Sequence, residues 1–299
     1  MNKRLGMLAA ATGTSIFGFS FMFSRIALGI ASPYVMLMYR FVLAFATLNV
    51  LLLALRGKGT GWMRFSLKGK NILPLIALGL AQPVLYFVFE SYGISLTNST
   101  FSGVIIALSP IVGLALGALF LREYPTKAQV GFSFLSIAGV MLMTLQQTGE
   151  GIVRPLGALL LVLAVLSGTS YNLLSRKASH FSALEQTYVM MLIAAVSFTC
   201  MAAWECRADL TLLLIPARSL PFMLSVLYLS VVSSNIAFLA LNYANSVLPV
   251  ARVTSFCNIT TVISLFAGVI FLNEPFGWVP LLASVIIIVG VWGVQRNAR

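Results

Sequence analysis

The sequence predicts an all-α integral membrane protein, with ten transmembrane helices arranged as two inverted five-helix repeats. Three observations predict it. Of 299 residues, 60% are hydrophobic and 9% charged, where roughly a quarter are charged in an ordinary soluble domain, so most of the surface must face hydrocarbon. Apolar runs of about 20 residues recur ten times, each long enough at ~1.5 Å per residue to cross a ~30 Å hydrocarbon core. The second half of the chain also repeats the first at a constant offset of 151 residues. A mean hydropathy of +0.99 excludes a disordered chain, which needs low hydrophobicity, and a β-barrel, whose lumen face is polar.

The first run covers 5–28. Lys3 and Arg4 precede it as in a signal peptide, but reaching Leu28 makes it longer than a signal h-region, and a related segment opens the second half, so it reads as a retained helix. The second, 34–55, follows Pro33 and carries Arg40; the third, 71–92, contains Pro74 and Pro83; the fourth, 99–121, contains Pro110; the fifth is 127–145. The remaining five are 156–177, 184–204, 219–242, 250–272 and 277–295. The longest stretches left outside, 56–70 and 205–218, are too short to fold as domains.

Lys and Arg in short loops set orientation. A cytoplasmic N-terminus puts thirteen on the inside (Lys3, Arg4, Arg56, Lys58, Arg64, Lys68, Lys70, Arg122, Lys127, Arg176, Lys177, Arg296, Arg299) and four outside (Arg25, Arg154, Arg207, Arg218). Both termini are therefore expected in the cytoplasm, in a multi-pass protein of the cell (inner) membrane. The same distribution accounts for most of the net charge of +12 without a nucleic-acid partner.

Reactive groups are scarce. Cys200, Cys206 and Cys257 form neither metal-ligand spacing nor a disulfide framework. One aspartate, Asp209, excludes a catalytic aspartate pair, and the one histidine, His180, reads as a wetted loop residue beside Arg176 and Lys177. Gly57–Gly61 lacks the GxxxxGK[ST] pattern that cradles phosphates. Neither an enzyme, a bound metal nor a cofactor is expected.

The repeat aligns without a gap. Gly6 meets Gly157, Ser24-Arg25 meets Ser175-Arg176, Tyr92 meets Tyr243, and Leu114, Gly117, Phe120, Leu121 and Glu123 meet Leu265, Gly268, Phe271, Leu272 and Glu274. Two units follow, 1–149 and 150–299. Five spans per unit is odd, so the second enters the membrane from the opposite side. Inverted repeats are a signature of secondary transporters, whose halves exchange shapes around a site near the midplane.

Pro33 and Arg40 in span 2, Phe120-Leu121-Arg122-Glu123 and Phe271-Leu272-Asn273-Glu274 at the ends of spans 4 and 9, and Gly139/Gly290 resemble the drug/metabolite transporter superfamily, specifically its ten-helix EamA-type members. The resemblance covers the whole chain. It implies a basket of helices around a central cavity lined chiefly by spans 1, 3, 4, 6, 8 and 9, and export of amino acids, metabolites or drugs.

Polar groups inside hydrocarbon are costly unless they face a cavity or a partner, which selects candidates. Arg40 either anchors helices or binds a substrate carboxylate. Glu90, with no repeat equivalent, is the candidate for proton coupling. Pro83 removes a backbone donor and should bend span 3 near Gln82 and Tyr86; Pro110 should bend span 4. Tyr171 and Asn172 in span 6, Ser234 and Asn235 in span 8 and Asn258 in span 9 complete the substrate-binding set, with Ser234 at the repeat position of Pro83. Arg25 and Arg176 are expected to snorkel to the two interfaces, Glu123 and Glu274 to cap helix ends, and Gly113 and Gly117 to pack span 4 against span 9.

Such a cavity is neutral and amphipathic. The expected function is alternating-access export of small amphipathic metabolites such as amino acids or drug-like solutes; a passive facilitator or channel is the alternative, and a membrane enzyme the weaker one. A small-molecule substrate, the lipid bilayer, a proton as coupling ion and a monomer or weak homodimer are the expected partners and state.

Overall fold

The computed structural model describes residues 3–55, 65–97, 105–145, 154–272 and 277–297. The start of span 4, Gly57–Gly61, Arg56, Lys58, Arg64, Glu274 and Arg299 lie outside the described residues. Every regular element among the described residues is helical, as hydrocarbon requires of a chain that must satisfy its own backbone. Eight helices are long and apolar enough to span a bilayer, and two shorter apolar ones complete spans 4 and 5.

Span 1 is Lys3–Leu28, span 2 Pro33–Leu55, span 4 Ser109–Leu121, span 5 Lys127–Leu145, span 6 Pro155–Lys177, span 7 Ala183–Glu205, span 9 Val250–Leu272 and span 10 Trp278–Arg296. Proline opens spans 2 and 6 at Pro33 and Pro155, where its fixed φ suits the first turn and its missing N–H costs nothing.

Span 3 is broken, and span 8 is widened at the corresponding place. Span 3 runs as Leu73–Gly79 and Tyr86–Ser95 around a wide π-type segment, Leu80–Leu85, in which Gln82 is extended (φ −146°, ψ 129°) next to Pro83. The bend expected from Pro83 is thus a local break. Span 8 runs as Leu220–Leu227 and Phe238–Val247 around the π-type segment Tyr228–Ala237. That widened segment falls on the repeat equivalent of the break in span 3, yet it contains no proline. Pro110 differs from expectation: it lies in the first turn of the helix Ser109–Leu121, and the Ile106 carbonyl is not orphaned, because it accepts from Ser109 Oγ at 2.6 Å.

The helices pair as two halves related by the repeat. Span 1 packs on spans 8 and 9, and span 6 correspondingly on spans 3 and 4; spans 2 and 7, 4 and 9, and 5 and 10 pack on their own counterparts. Glycines record the symmetry in detail. Gly6 lies against Val247 and Leu248, and its mate Gly157 against Leu96 and Thr97, the residues 151 positions earlier. Gly139 lies against Ile287, and its mate Gly290 against Ser136. Gly113 faces Thr254 so closely that a Cβ would collide with that side chain, which is the expected contact of span 4 with span 9.

Alternation of spans puts the N-terminus, the C-terminal helix end and most described Lys and Arg residues at one end of the bundle, here termed the basic end. Leu37, Phe41, Leu78, Met190, Phe198 and Phe238 fill the larger core, between spans 2, 3, 7 and 8.

Candidate functional site

Arg40 is the centre of the site. It lies two turns into span 2, is only 3% exposed, and donates through Nε to Ser234 Oγ at 2.8 Å and through Nη2 to Ser233 Oγ at 2.9 Å. Both serines belong to the π-type segment of span 8, so an arginine of the first repeat is held by the widened turn of the second. The ring faces of Phe41 and Phe87 lie 5.3 and 5.0 Å from its guanidinium carbon, a cation–π setting that eases burial of the charge.

Glu90 answers it from span 3. The two charges are within electrostatic reach of one another but form no ion pair within 4 Å. One oxygen of Glu90 accepts from the Tyr86 hydroxyl at 2.8 Å, one helical turn earlier. Tyr86 follows the break at Gln82 and Pro83, so the break aims the pair. The other Glu90 oxygen and Arg40 Nη1 have no hydrogen-bond partner among the described residues, and Gln82, Tyr86 and Glu90 are all half-buried. Gln82 and Tyr86 border Gly168 of span 6.

Aromatic rings form the walls. Phe23 of span 1 stacks on Tyr228 of span 8 with centroids 4.0 Å apart, Phe17 meets Phe238 edge-on at 5.2 Å, and Tyr228 donates to the Ile16 carbonyl at 3.3 Å. Half-buried Cys257 of span 9 lies within electrostatic reach of Tyr86 and Tyr171. The arrangement offers one buried cation, one carboxylate, an amide and aromatic faces, contributed by spans 1, 2, 3, 8 and 9.

The remaining candidates lie elsewhere. Tyr171 donates to Asn242 Oδ1 at 2.8 Å, and the single Ser175 hydroxyl proton is shared between Gln186 Oε1 at 2.6 Å and that same Asn242 oxygen at 3.0 Å. Asn242 Nδ2 donates to Thr187 Oγ1 at 2.9 Å, while Asn172 Oδ1 accepts from Asn245 Nδ2 at 3.0 Å. These residues form a closed polar layer between the site and the basic end. Asn235 donates to Ala44 O and Thr47 Oγ1 of span 2, and Asn258 donates to Ser136 Oγ of span 5, so both join helices.

Helix ends hold the other ionisable groups. Glu123 caps span 9, its Oε2 accepting from Val250 N at 2.9 Å. Arg176, partly exposed at the basic end, donates to the Ser246 carbonyl at 2.8 Å, one of the C-terminal carbonyls that span 8 leaves unsatisfied. Asp209, in the loop after span 7, accepts from the Thr211 hydroxyl and backbone N–H, which hold its carboxyl below the usual carboxylate range. His180 is exposed, as its loop position predicted. The sequence pointed to Ser233 beside Ser234 but not to Tyr228, Phe23 or Gln186; comparing polar residues across the repeat would have found Gln186, whose mate is Val35.

The EamA-like transporter family matches residues 4–145 and again 155–296, two stretches 151 residues apart that together cover nearly the whole chain. The chain belongs to the EamA-like transporter family. This EamA-like protein is 34% identical over 294 residues to the Bacillus subtilis "Uncharacterized transporter YcxC", covering 97% of this chain and 92% of the relative. It is 25% identical over 233 residues to the "Probable terminal-alkyne amino-acid exporter" of Streptantibioticus cattleyicolor, covering 75% of this chain and 74% of that one. A crystal structure at 17% identity shares the fold with a TM-score of 0.81, over 98% of this chain and 97% of the other. The EamA-like chain is a multi-pass membrane transporter, not an enzyme.

Proposed function

We propose that this EamA-like protein is a secondary active exporter of small amphipathic zwitterions, amino acids foremost, working by alternating access in the inner membrane with both termini cytoplasmic. The observation that carries the reading is the pairing of Arg40 and Glu90 in one aromatic-walled site, each keeping a polar atom unengaged. A zwitterion matches that pair: its carboxylate can take Arg40 Nη1 and its ammonium the unengaged Glu90 oxygen. A phosphorylated substrate would call for more buried cations than Arg40. The name of the Streptantibioticus relative supports the amino-acid class. Glu90 is the coupling group, taking a proton when the substrate ammonium leaves it; Arg40 is the charged group and Tyr86 the titratable group that face it. The transporter works as a monomer or weak homodimer.

Ligand binding to the folded state raises apparent stability by mass action, about 2.7 kcal/mol at a hundred times the dissociation constant. Thermal shifts of the purified protein should therefore appear with neutral amino acids and vanish in Arg40→Ala. Flux into proteoliposomes should depend on pH in the wild type and lose that dependence in Glu90→Gln. An unchanged pH profile in Glu90→Gln removes the coupling role. Neither shift nor flux with any amino acid or hydrophobic cation overturns the transport reading itself.

A further inference from the structure

We propose that Glu123 and Arg176 form the outer tie of the gate at the basic end, closed in this structure, whose rupture loosens the polar layer of Tyr171, Ser175, Gln186, Thr187 and Asn242 behind it and so admits solvent from that side to the Arg40–Glu90 site. The inference rests on the alternating-access reading above.

Four helix ends meet at this pair. Glu123 follows span 4, Arg176 is in the last turn of span 6, and both reach the hairpin between spans 8 and 9, where Leu248 and Pro249 are the only residues between the helix ending at Val247 and the one starting at Val250. Glu123 Oε1 accepts from Arg176 Nε at 3.4 Å, and its Oε2 accepts from Val250 N at 2.9 Å. Arg176 Nη1 donates to Ser246 O at 2.8 Å and Asn245 O at 3.4 Å. One carboxylate thus satisfies the N-terminus of span 9 while its partner satisfies the C-terminus of span 8, each charge having the sign its helix end favours.

The chain is shaped to put Glu123 there. Span 4 ends in Arg122 with a left-handed backbone (φ 58°), and Glu123 N turns back to Gly117 O at 3.1 Å. A non-glycine residue held at positive φ costs free energy and persists where the surroundings require it.

Position makes the contact a gate. Spans 8 and 9 each contribute to the site (Ser233, Ser234 and Tyr228; Cys257) and to the clasp, so a path from the basic end to Arg40 and Glu90 passes between ends that this pair ties together. Its strength suits opening. The two side chains are 28% and 21% exposed, and ion pairs in contact with water are worth about 1 kcal/mol or less. Such a tie biases a conformational equilibrium without locking it.

Cys257 reports the gate directly and requires no substrate, so failure of this test is distinguishable from failure of the transport reading. In a Cys200→Ser, Cys206→Ser background, a membrane-impermeant maleimide is applied separately to each face of sealed vesicles. From the basic end, Glu123→Ala and Arg176→Ala should label Cys257 about fivefold faster than the parent, the factor corresponding to ~1 kcal/mol, and labelling from the opposite face should not rise. Equal rates in parent and variants from the basic end overturn the proposal. Should the alanine variants fail to fold, Glu123→Cys with Arg176→Cys joined by a bifunctional thiol-reactive linker tests the same point. The joined protein should bind amino acid but not transport it until the linker is cleaved. Full transport while joined also overturns it.

Discussion

The two ends of this molecule descend from one repeated segment, yet they are sealed by different chemistry. At the basic end, Tyr171, Ser175, Gln186, Thr187 and Asn242 form a buried hydrogen-bonded layer across spans 6, 7 and 8, with the Glu123–Arg176 clasp beyond it. At the other end the repeat mates of those five are Ser20, Ser24, Val35, Met36 and Ser91. Ser20 spends its hydroxyl on its own helix at Ile16 O, while Val35 and Met36 are buried among apolar neighbours. Polar ties there run elsewhere, from Ser32 to Glu205 and from Tyr39 to the Leu213 carbonyl. Symmetry of the backbone permits two mirror-related states; the side chains bias the choice between them. Directional bonds join the buried layer at the basic end, whereas the corresponding Val35 and Met36 at the opposite end make apolar contact, which gives helices little preference over lipid.

The largest effect should come where both repeats converge. Arg40→Met removes the cation held by Ser233 and Ser234, whose hydrogen bonds to a charged group are worth about 1.5–3 kcal/mol. Amino-acid flux should fall about a hundredfold, measured as initial uptake rate, with the folded yield retained. Breaking the polar layer comes next. Asn242→Leu strands the Tyr171 hydroxyl and removes one bond each from Ser175 and Thr187, and should lower stability by about 1–3 kcal/mol, seen as a reduced melting temperature. Its mate Ser91→Ala should stay within about 0.5 kcal/mol. Equal losses at the two would erase the difference between the ends.

Where the ends are alike, matched substitutions should cost the same. Gly139→Val and Gly290→Val each force a side chain into the span 5 and span 10 contact, and overpacking of about 1–3 kcal/mol is expected at both. A loss at only one of them would break the pseudo-symmetry. Smallest is Lys70→Ala. Lys70 Nζ donates to Glu185 Oε1 at 2.7 Å, but Ser66 N and Ser182 N also serve that carboxylate. The change in stability should be about 1 kcal/mol or less.

Hydrocarbon made the architecture readable. A chain that must hide its backbone in helices leaves apolar runs of fixed length, and the offset of Gly6 to Gly157 marked the two halves whose helix ends make matching contacts in the fold. Pro83 announced the break in span 3 because a missing donor is visible in one letter. Tyr228–Ala237 did not: its wide turn has no proline, and only the repeat position of Ser234 pointed there. Arg40, Glu90, Tyr86, Gln82 and Ser234 come together as one site, but Tyr171 and Asn172 were read as cavity lining and are tied in the layer beneath it. The partners of Arg176 were hidden for a related reason. They lie 53 and 70 residues away, and local sequence reports how far a side chain is from water, not which distant helix end folds beside it.

The central claim is that one site around Arg40 and Glu90 is reached alternately from the two ends. Counterflow tests it most directly: proteoliposomes loaded with unlabelled neutral amino acid are diluted into the labelled compound, and uptake is followed over time. Alternating access predicts saturable uptake that rises transiently above equilibrium and is absent in Arg40→Met. Uptake that is linear in concentration and indifferent to the internal load would contradict it.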